Sequence, residues 1–464
     1  MYRYNYYLFI MTGVVLGLNK LSYVHFIGIG GISMSAIAKV LLHRGIKVSG
    51  SDSGEGKATE ELKSLGATVY HGHSAENISN PDLVVYTAAI KDDNPELKKA
   101  REMEIKTVSR SEMLGAIMKE YKKAISVAGT HGKTTTTSMM TYVLMKANLD
   151  PTVMVGGELD IIDGNFKIGN SEFFLTESCE YCRSFLDFFP TVGIILNVEE
   201  DHLDYYRDLD DIKEAFSDFA NLIPEDGVLV ALADNQNVAD CIKNTKAKPI
   251  TYGFENGDYR AKNITFDDFG YPTFDIYKNN EKVETLTLSV VGRHNVLNAT
   301  GVYAASIAMG ISKEAVKEGI EAFSGTKRRF EKKGKCNGAL IIDDYAHHPT
   351  EIAATFDSVK KIKHNTVWCV FQPHTYTRTK ALFDDFSKVL SGVDRMIITD
   401  IYAAREKDTG VVSSKQLSDS IDGSIYIKEF SEIASFLKKN ASKGDIIITM
   451  GAGNVVDICD MIKD

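Results

Sequence analysis

Short apolar runs alternate with amphipathic segments along most of this chain. Val24-His25-Phe26-Ile27, Phe173–Thr176, Val192–Asn197, Ala339–Ile342, Val367–Phe371, Arg395–Thr399 and Asp445–Met450 read as strands. Runs of this kind, apolar on both faces, belong to parallel sheets covered by helices. Helical patterns follow them. Met34–His43 comes after the first run, and leads to a second strand at Lys47–Gly50 that ends in Ser51-Asp52; another strand is expected at Asp82–Tyr86. Repeated strand–helix units predict an α/β chain. Breaks in the pattern fall near Lys123 and after Phe323-Ser324-Gly325-Thr326. They divide the chain into an extension over 1–21 and three α/β domains over 22–122, 123–326 and 327–464.

Composition narrows the class. At 464 residues the chain exceeds one hydrophobic core. Its 44% hydrophobic and 25% charged residues are ordinary for a soluble enzyme, and a net charge of −10 argues against general nucleic-acid binding. Six scattered cysteines point to a reducing, cytoplasmic setting. Tyr6 to Leu18 is almost all apolar, but too short to span a bilayer and without a small-residue cleavage site; it reads as a loosely packed extension, with Met11 an alternative start.

The chemistry starts at Ser126–Thr137. An apolar strand leads into Gly129-Thr130-His131-Gly132, then Lys133 and four threonines open a helix. Glycines let main-chain N–H groups converge on phosphate oxygens, the helix N-terminus adds its dipole, and lysine adds a point charge. Thr134 or Thr135 is placed to hold a magnesium ion. The usual P-loop has glycine five residues before its second glycine, where this chain has Val127. A second glycine turn, Gly28-Ile29-Gly30-Gly31-Ile32-Ser33, follows the first strand, with Asp52 near the end of the next. It fits a phosphate-bearing nucleotide rather than NAD in particular. A nicotinamide oxidoreductase would leave Lys133 without a role.

Other polar clusters sit just past apolar strands, where a parallel sheet gathers its ligand crevice. Glu177 and His202 are positioned to hold magnesium near a γ-phosphate. Cys179 and Cys182 form a CxxC without a second pair, which argues against a structural zinc. Gly292–Ala299 opens a helix with Asn295, suited to adenine or ribose. Lys327-Arg328-Arg329-Phe330 is a cationic cluster whose Arg329 suits phosphate or adenine. Asp343–Glu351 and Phe371–Thr379 place Asp344, His348, His374 and Arg378 at the ends of two strands. Histidine and arginine there are able to clamp a carboxylate or phosphate.

Taken together these segments resemble the Mur ligase family, from about Val24 onward. Gly129–Thr135 matches that family's shortened phosphate loop, and 200–204, 294–299, 328–330 and 344–351 are family-like in the right order. The start at 25–35, His347–Glu351 and Phe371–Thr379 favour the alanine-adding branch over the tripeptide-recycling one. Thr375 departs from it, since an arginine is typical there. Some members carry a carbamylated lysine about 15 residues beyond the histidine of the DHxD segment; Ser217 has that offset here and Lys213 is off register.

The resemblance implies a Rossmann-like first domain, a central P-loop-type ATPase domain and a Rossmann-like last domain. It implies an ATP- and Mg²⁺-dependent ligase acting on UDP-N-acetylmuramate and L-alanine in peptidoglycan synthesis. Gly28, Gly30, Gly31, Ser33 and Asp52 would then hold the sugar nucleotide, with His374 reaching it from the third domain. Gly129, Thr130, His131, Gly132, Lys133, Thr134, Thr135, Asn295, Arg329 and Asp344 would hold ATP. Thr134, Glu177 and His202 would hold metal, and Lys133, Glu177, His202, His348 and Arg378 would carry catalysis.

Overall fold

The computed structural model describes residues 17–464 except 88, 204 and 405. Most of the expected extension, Met11 included, lies outside the described residues, as does Asp204 of the DHxD segment. Among the described residues no helix is long and apolar enough to cross a membrane.

Three sheets account for the strands among the described residues. The first contains β1 (Tyr23–Ile27), β2 (Lys47–Asp52), β3 (Thr68–His71), β4 (Leu83–Tyr86) and β5 (Thr107–Ser109) in the order β3-β2-β1-β4-β5. All its neighbours are parallel. Every residue of β1 is buried, as a central parallel strand with helices on both faces requires.

The second sheet has ten strands: β6 (Lys123–Ala128), β7 (Thr152–Leu159), β8 (Gly164–Lys167), β9 (Phe173–Ser178), β10 (Val192–Ile195), β11 (Val228–Leu232), β12 (Pro249–Gly253), β13 (Tyr259–Phe266), β14 (Pro272–Lys278) and β15 (Glu281–Thr287). β6 lies between β9 and β10, all parallel, with Ala128 opposite both Ser178 and Ile195. That register brings the loops after β6, β9 and β10 to one edge. The sheet then continues through β13–β15 as an antiparallel meander.

The third sheet runs β16-β17-β21-β18-β19-β20, with β16 (Glu331–Cys336), β17 (Ala339–Asp344), β18 (Val367–Phe371), β19 (Arg395–Ile398), β20 (Ile425–Tyr426) and β21 (Ile446–Met450). Only β16 is antiparallel.

The apolar cores are distributed unevenly. One buried cluster runs from Leu18 to Ala247 and joins helix Arg110–Met118 of the first domain to Phe185, Phe188 and Phe216 of the second. At this joint a side chain on Gly115 would overlap the Asp187 carbonyl oxygen. The clusters of the third domain have no buried member before Cys336. That domain meets the second through polar pairs instead: Arg378 with Asp201 at 3.0 Å, Thr350 with Glu199 at 2.9 Å, His131 with Glu351 at 3.2 Å, and Lys327 with Glu158.

Candidate active site

The glycine turn after β6 has the conformation its sequence demands. Gly129 has φ +150° and Gly132 φ +84°, values unfavourable for a side chain. Helix Lys133–Lys146 starts at once with no side-chain cap. Its first N–H groups therefore have no intrahelical acceptor and are able to donate to an anion. Asn197, from the loop after β10, laces the turn together. Its Oδ1 accepts from the His131 N–H (2.8 Å), its Nδ2 donates to the His131 carbonyl (3.0 Å), and its own carbonyl accepts from the Thr130 N–H (3.1 Å). The Thr130 hydroxyl accepts from the Glu199 N–H at 2.9 Å.

Lys133 folds back onto Glu180, with Nζ 2.8 Å and 3.2 Å from the two carboxylate oxygens. Burial alone would push Glu180 up and Lys133 down. Their attraction wins: Glu180 stays below the usual carboxylate range, and Lys133 is pushed up to about 12. His202 shares this pair, its Nε2 lying 3.6 Å from Glu180 Oε1 and 3.8 Å from Asp201 Oδ2. Thr134 Oγ1 donates to Glu177 Oε2 at 3.0 Å, and the Gly156 N–H donates to the other oxygen. Of the expected metal set, Thr134 and Glu177 are in direct contact, while His202 is turned towards Glu180. A hydroxyl and a carboxylate at an uncapped helix start are the hard oxygen donors that magnesium prefers. Lys213 is committed elsewhere, 2.7 Å from Asp240 Oδ2, and Ser217 donates to the Lys213 carbonyl.

A cleft of about 470 Å³ opens between the second and third domains. His131, Gly132, Thr135, Asn295, Arg329 and Asp344 all line it, which gathers six of the ten residues expected to hold nucleotide. The Asn295 amide is already engaged, donating to Val291 O and accepting from Asn298. Arg329 lies over the Tyr345 ring at 4.9 Å. Burial pushes Asp344 up to about 6 despite nearby Arg329. Also lining the cleft, His131 is held between Glu199 and Glu351. Burial opposes its charge, but the two carboxylates raise it to about 9. His348 caps helix Pro349–Val359, and burial with the neighbouring His131 lowers its pKa.

Arg378 donates to Asp201 across the domain seam and its Nη1 lies 3.3 Å from His374 Nδ1. His374 stacks on Tyr402 with centroids 5.7 Å apart; burial, then His347 and Arg378, push it down to about 4. His374 therefore groups with Arg378 in the third domain. Thr375, the departure noted above, has φ +65°, a strained value for a β-branched residue.

In the first domain, Gly28 has φ +85° and Gly31 precedes helix Ile32–His43. The Asp52 carboxylate accepts from Gly30 N–H at 2.8 Å and Gly54 N–H at 3.1 Å, so it braces the turn it was expected to serve from outside. Ser33 Oγ accepts from Arg110 Nη1 at 3.1 Å.

Glu180, Asn197, Glu199, Glu351 and Arg110 were not singled out from the sequence. The first four lie in polar stretches just past apolar strands; that density was the available signal.

Family models for the Mur ligase family catalytic domain, the Mur ligase middle domain and the Mur ligase glutamate ligase domain match residues 23–122, 127–306 and 328–453. The chain belongs to the Mur ligase family. Among similar Mur ligases, the UDP-N-acetylmuramate–L-alanine ligase of Clostridium acetobutylicum is 51% identical over 442 residues, covering 94% of this chain and 96% of that protein. Its counterpart from Clostridium tetani is 53% identical, over 94% and 97%. The crystal structure of UDP-N-acetylmuramate-alanine ligase from Thermotoga maritima superposes with a TM-score of 0.80 at 30% identity, covering 95% and 98%. A murein peptide ligase from Psychrobacter arcticus gives 0.70 at 26%, over 95% and 98%. The three-domain α/β Mur ligase architecture expected from the sequence is thus the observed one.

Proposed function

We propose that this chain joins L-alanine to the lactyl carboxylate of UDP-N-acetylmuramate at the expense of ATP, a step of peptidoglycan synthesis. The observation that carries this reading is 51–53% identity across 94% of the chain to proteins of that activity. The phosphate loop beside an interdomain cleft supports it physically.

A carboxylate is a poor electrophile because its leaving group would be oxide. One carboxylate oxygen attacks the γ-phosphorus and ADP departs, leaving an acyl phosphate. The alanine amine, having lost a proton, attacks the acyl carbon; phosphate leaves and the amide nitrogen sheds a second proton. Positioning and charge neutralisation do most of the work. Lys133 exchanges Glu180 for the β/γ-phosphate oxygens. The uncapped start of helix Lys133–Lys146 receives the remaining phosphate charge. Thr134 and Glu177, with His202 after a shift away from Glu180, would hold Mg²⁺, which neutralises phosphate charge when bound. Arg378, with an Nε that is buried and has no hydrogen-bond partner, and His374 orient alanine, while His348 faces the acyl phosphate. Gly28, Gly30, Gly31 and Ser33 cradle the UDP pyrophosphate. The first domain (22–122) thus serves the sugar nucleotide, the second (123–326) ATP and the third (327–464) the amino acid, in the cytoplasm.

The test is phosphate release from ATP and Mg²⁺ with UDP-N-acetylmuramate and each of several amino acids. Release dependent on alanine is expected. Release that depends on a tripeptide and not on alanine would move the chain to the recycling branch.

A further inference from the structure

We propose that His131, Glu199 and His348 form a binding site for a divalent transition metal of the zinc class, shared between the second and third domains. Their ligand atoms all lie within 4.8 Å of one another. His131 Nε2 is 3.5 Å from Glu199 Oε2, and the two imidazole centroids are 4.7 Å apart. Both Nε2 atoms are buried and neither has a hydrogen-bond partner. His348 as a whole is only 6% exposed, so its free nitrogen points into protein rather than water.

The surroundings are those of a metal site. His131 Nδ1 lies 3.2 Å from Glu351 Oε1, the carboxylate–histidine arrangement that fixes a tautomer and frees Nε2 to bind metal. Glu199 is itself oriented by the Thr350 hydroxyl. Tetrahedral zinc with ligand bonds of about 2.0–2.1 Å needs ligand atoms roughly 3.3 Å apart. The His131–Glu199 edge already has that length. His348 must approach by up to about 1.5 Å, which a small movement of the third domain supplies. Its Nδ1 accepts a long contact of 3.4 Å from the Thr350 N–H, and binding through Nε2 gives that contact up. Two imidazoles and one carboxylate favour zinc, cobalt or nickel over magnesium, which distinguishes this site from the oxygen donors Thr134 and Glu177. A fourth position is left for water.

The metal would tie the two domains together at the cleft. This does not rest on the ligase reading. Isothermal titration of Zn²⁺ into the chelator-treated full chain, with Mg²⁺ in excess, should give one equivalent bound. Glu199→Gln and His348→Gln should each weaken it by about tenfold or more, and Glu351→Gln by about tenfold. A Cys179→Ser/Cys182→Ser variant should bind as the parent does. Circular dichroism checks that each variant is folded, and anomalous diffraction at the zinc edge should place the ion among the three side chains. No stoichiometric binding, binding that survives both ligand substitutions, or an anomalous peak elsewhere would overturn the proposal.

Discussion

At the scale of single residues, the phosphate loop depends on one exchange of partners. Lys133 is held by Glu180, and in the proposed function a polyphosphate competes for it. Lys133→Ala should lower turnover by at least about 10²-fold, the size of losing one charge-stabilising donor, with binding of the UDP-sugar retained. Phosphate release and calorimetry with the sugar nucleotide read the two effects separately; loss of both would contradict a first domain that binds on its own. Lys133 was legible in the sequence because a glycine turn opening a helix is a local pattern. Glu180 was not. Its place follows from β9 lying beside β6, a pairing that is not written in the residues around it. Asp52 shows the same limit from the other side: its position at the end of β2 was read correctly, but a main-chain partner two residues along and another across the turn take its carboxylate.

At the scale of elements, most strands with uninterrupted apolar runs were legible, because both their faces are buried; β11, equally apolar and buried, was not among those expected. The meander β13–β15 and the edge strand β16 were not. Their residues alternate or are largely exposed, so the apolar signal is thin. Two joints can be tested at this scale. Helix Arg110–Met118 presses on the Asp187 backbone through Gly115, and Gly115→Ala should cost about 1–3 kcal/mol by overpacking, measured as a lower denaturation midpoint for the first two domains. In the metal-free protein, the seam to the third domain should respond to pH through His131, which faces Glu199, Glu351 and His348. Its pKa is raised in the folded protein, so its stabilising contribution is complete below about 6.5 and is lost as pH rises towards about 9. Thermal melts of the third domain's transition across that window should fall in the parent protein and stay flatter in His131→Gln.

At the scale of the whole molecule, the first two domains share one buried apolar cluster and the third has its own. Calorimetry should therefore resolve two transitions, with the third domain melting separately; a single transition with coincident probes would contradict this division. The unequal joints also assign the moving part. In the proposed function, closure around substrates would fall to the third domain, carrying Arg378, His374 and His348 towards a fixed phosphate loop. The charge pairs along that seam have a thermodynamic consequence. Parting them wets polar groups, whereas apolar surface is what raises heat capacity on exposure. Opening should therefore carry only a small, negative heat-capacity change. Its population should follow a nearly straight van't Hoff line over a range of temperature in which global stability is strongly curved, leaving the working motion of the enzyme insulated from the temperature response of its cores.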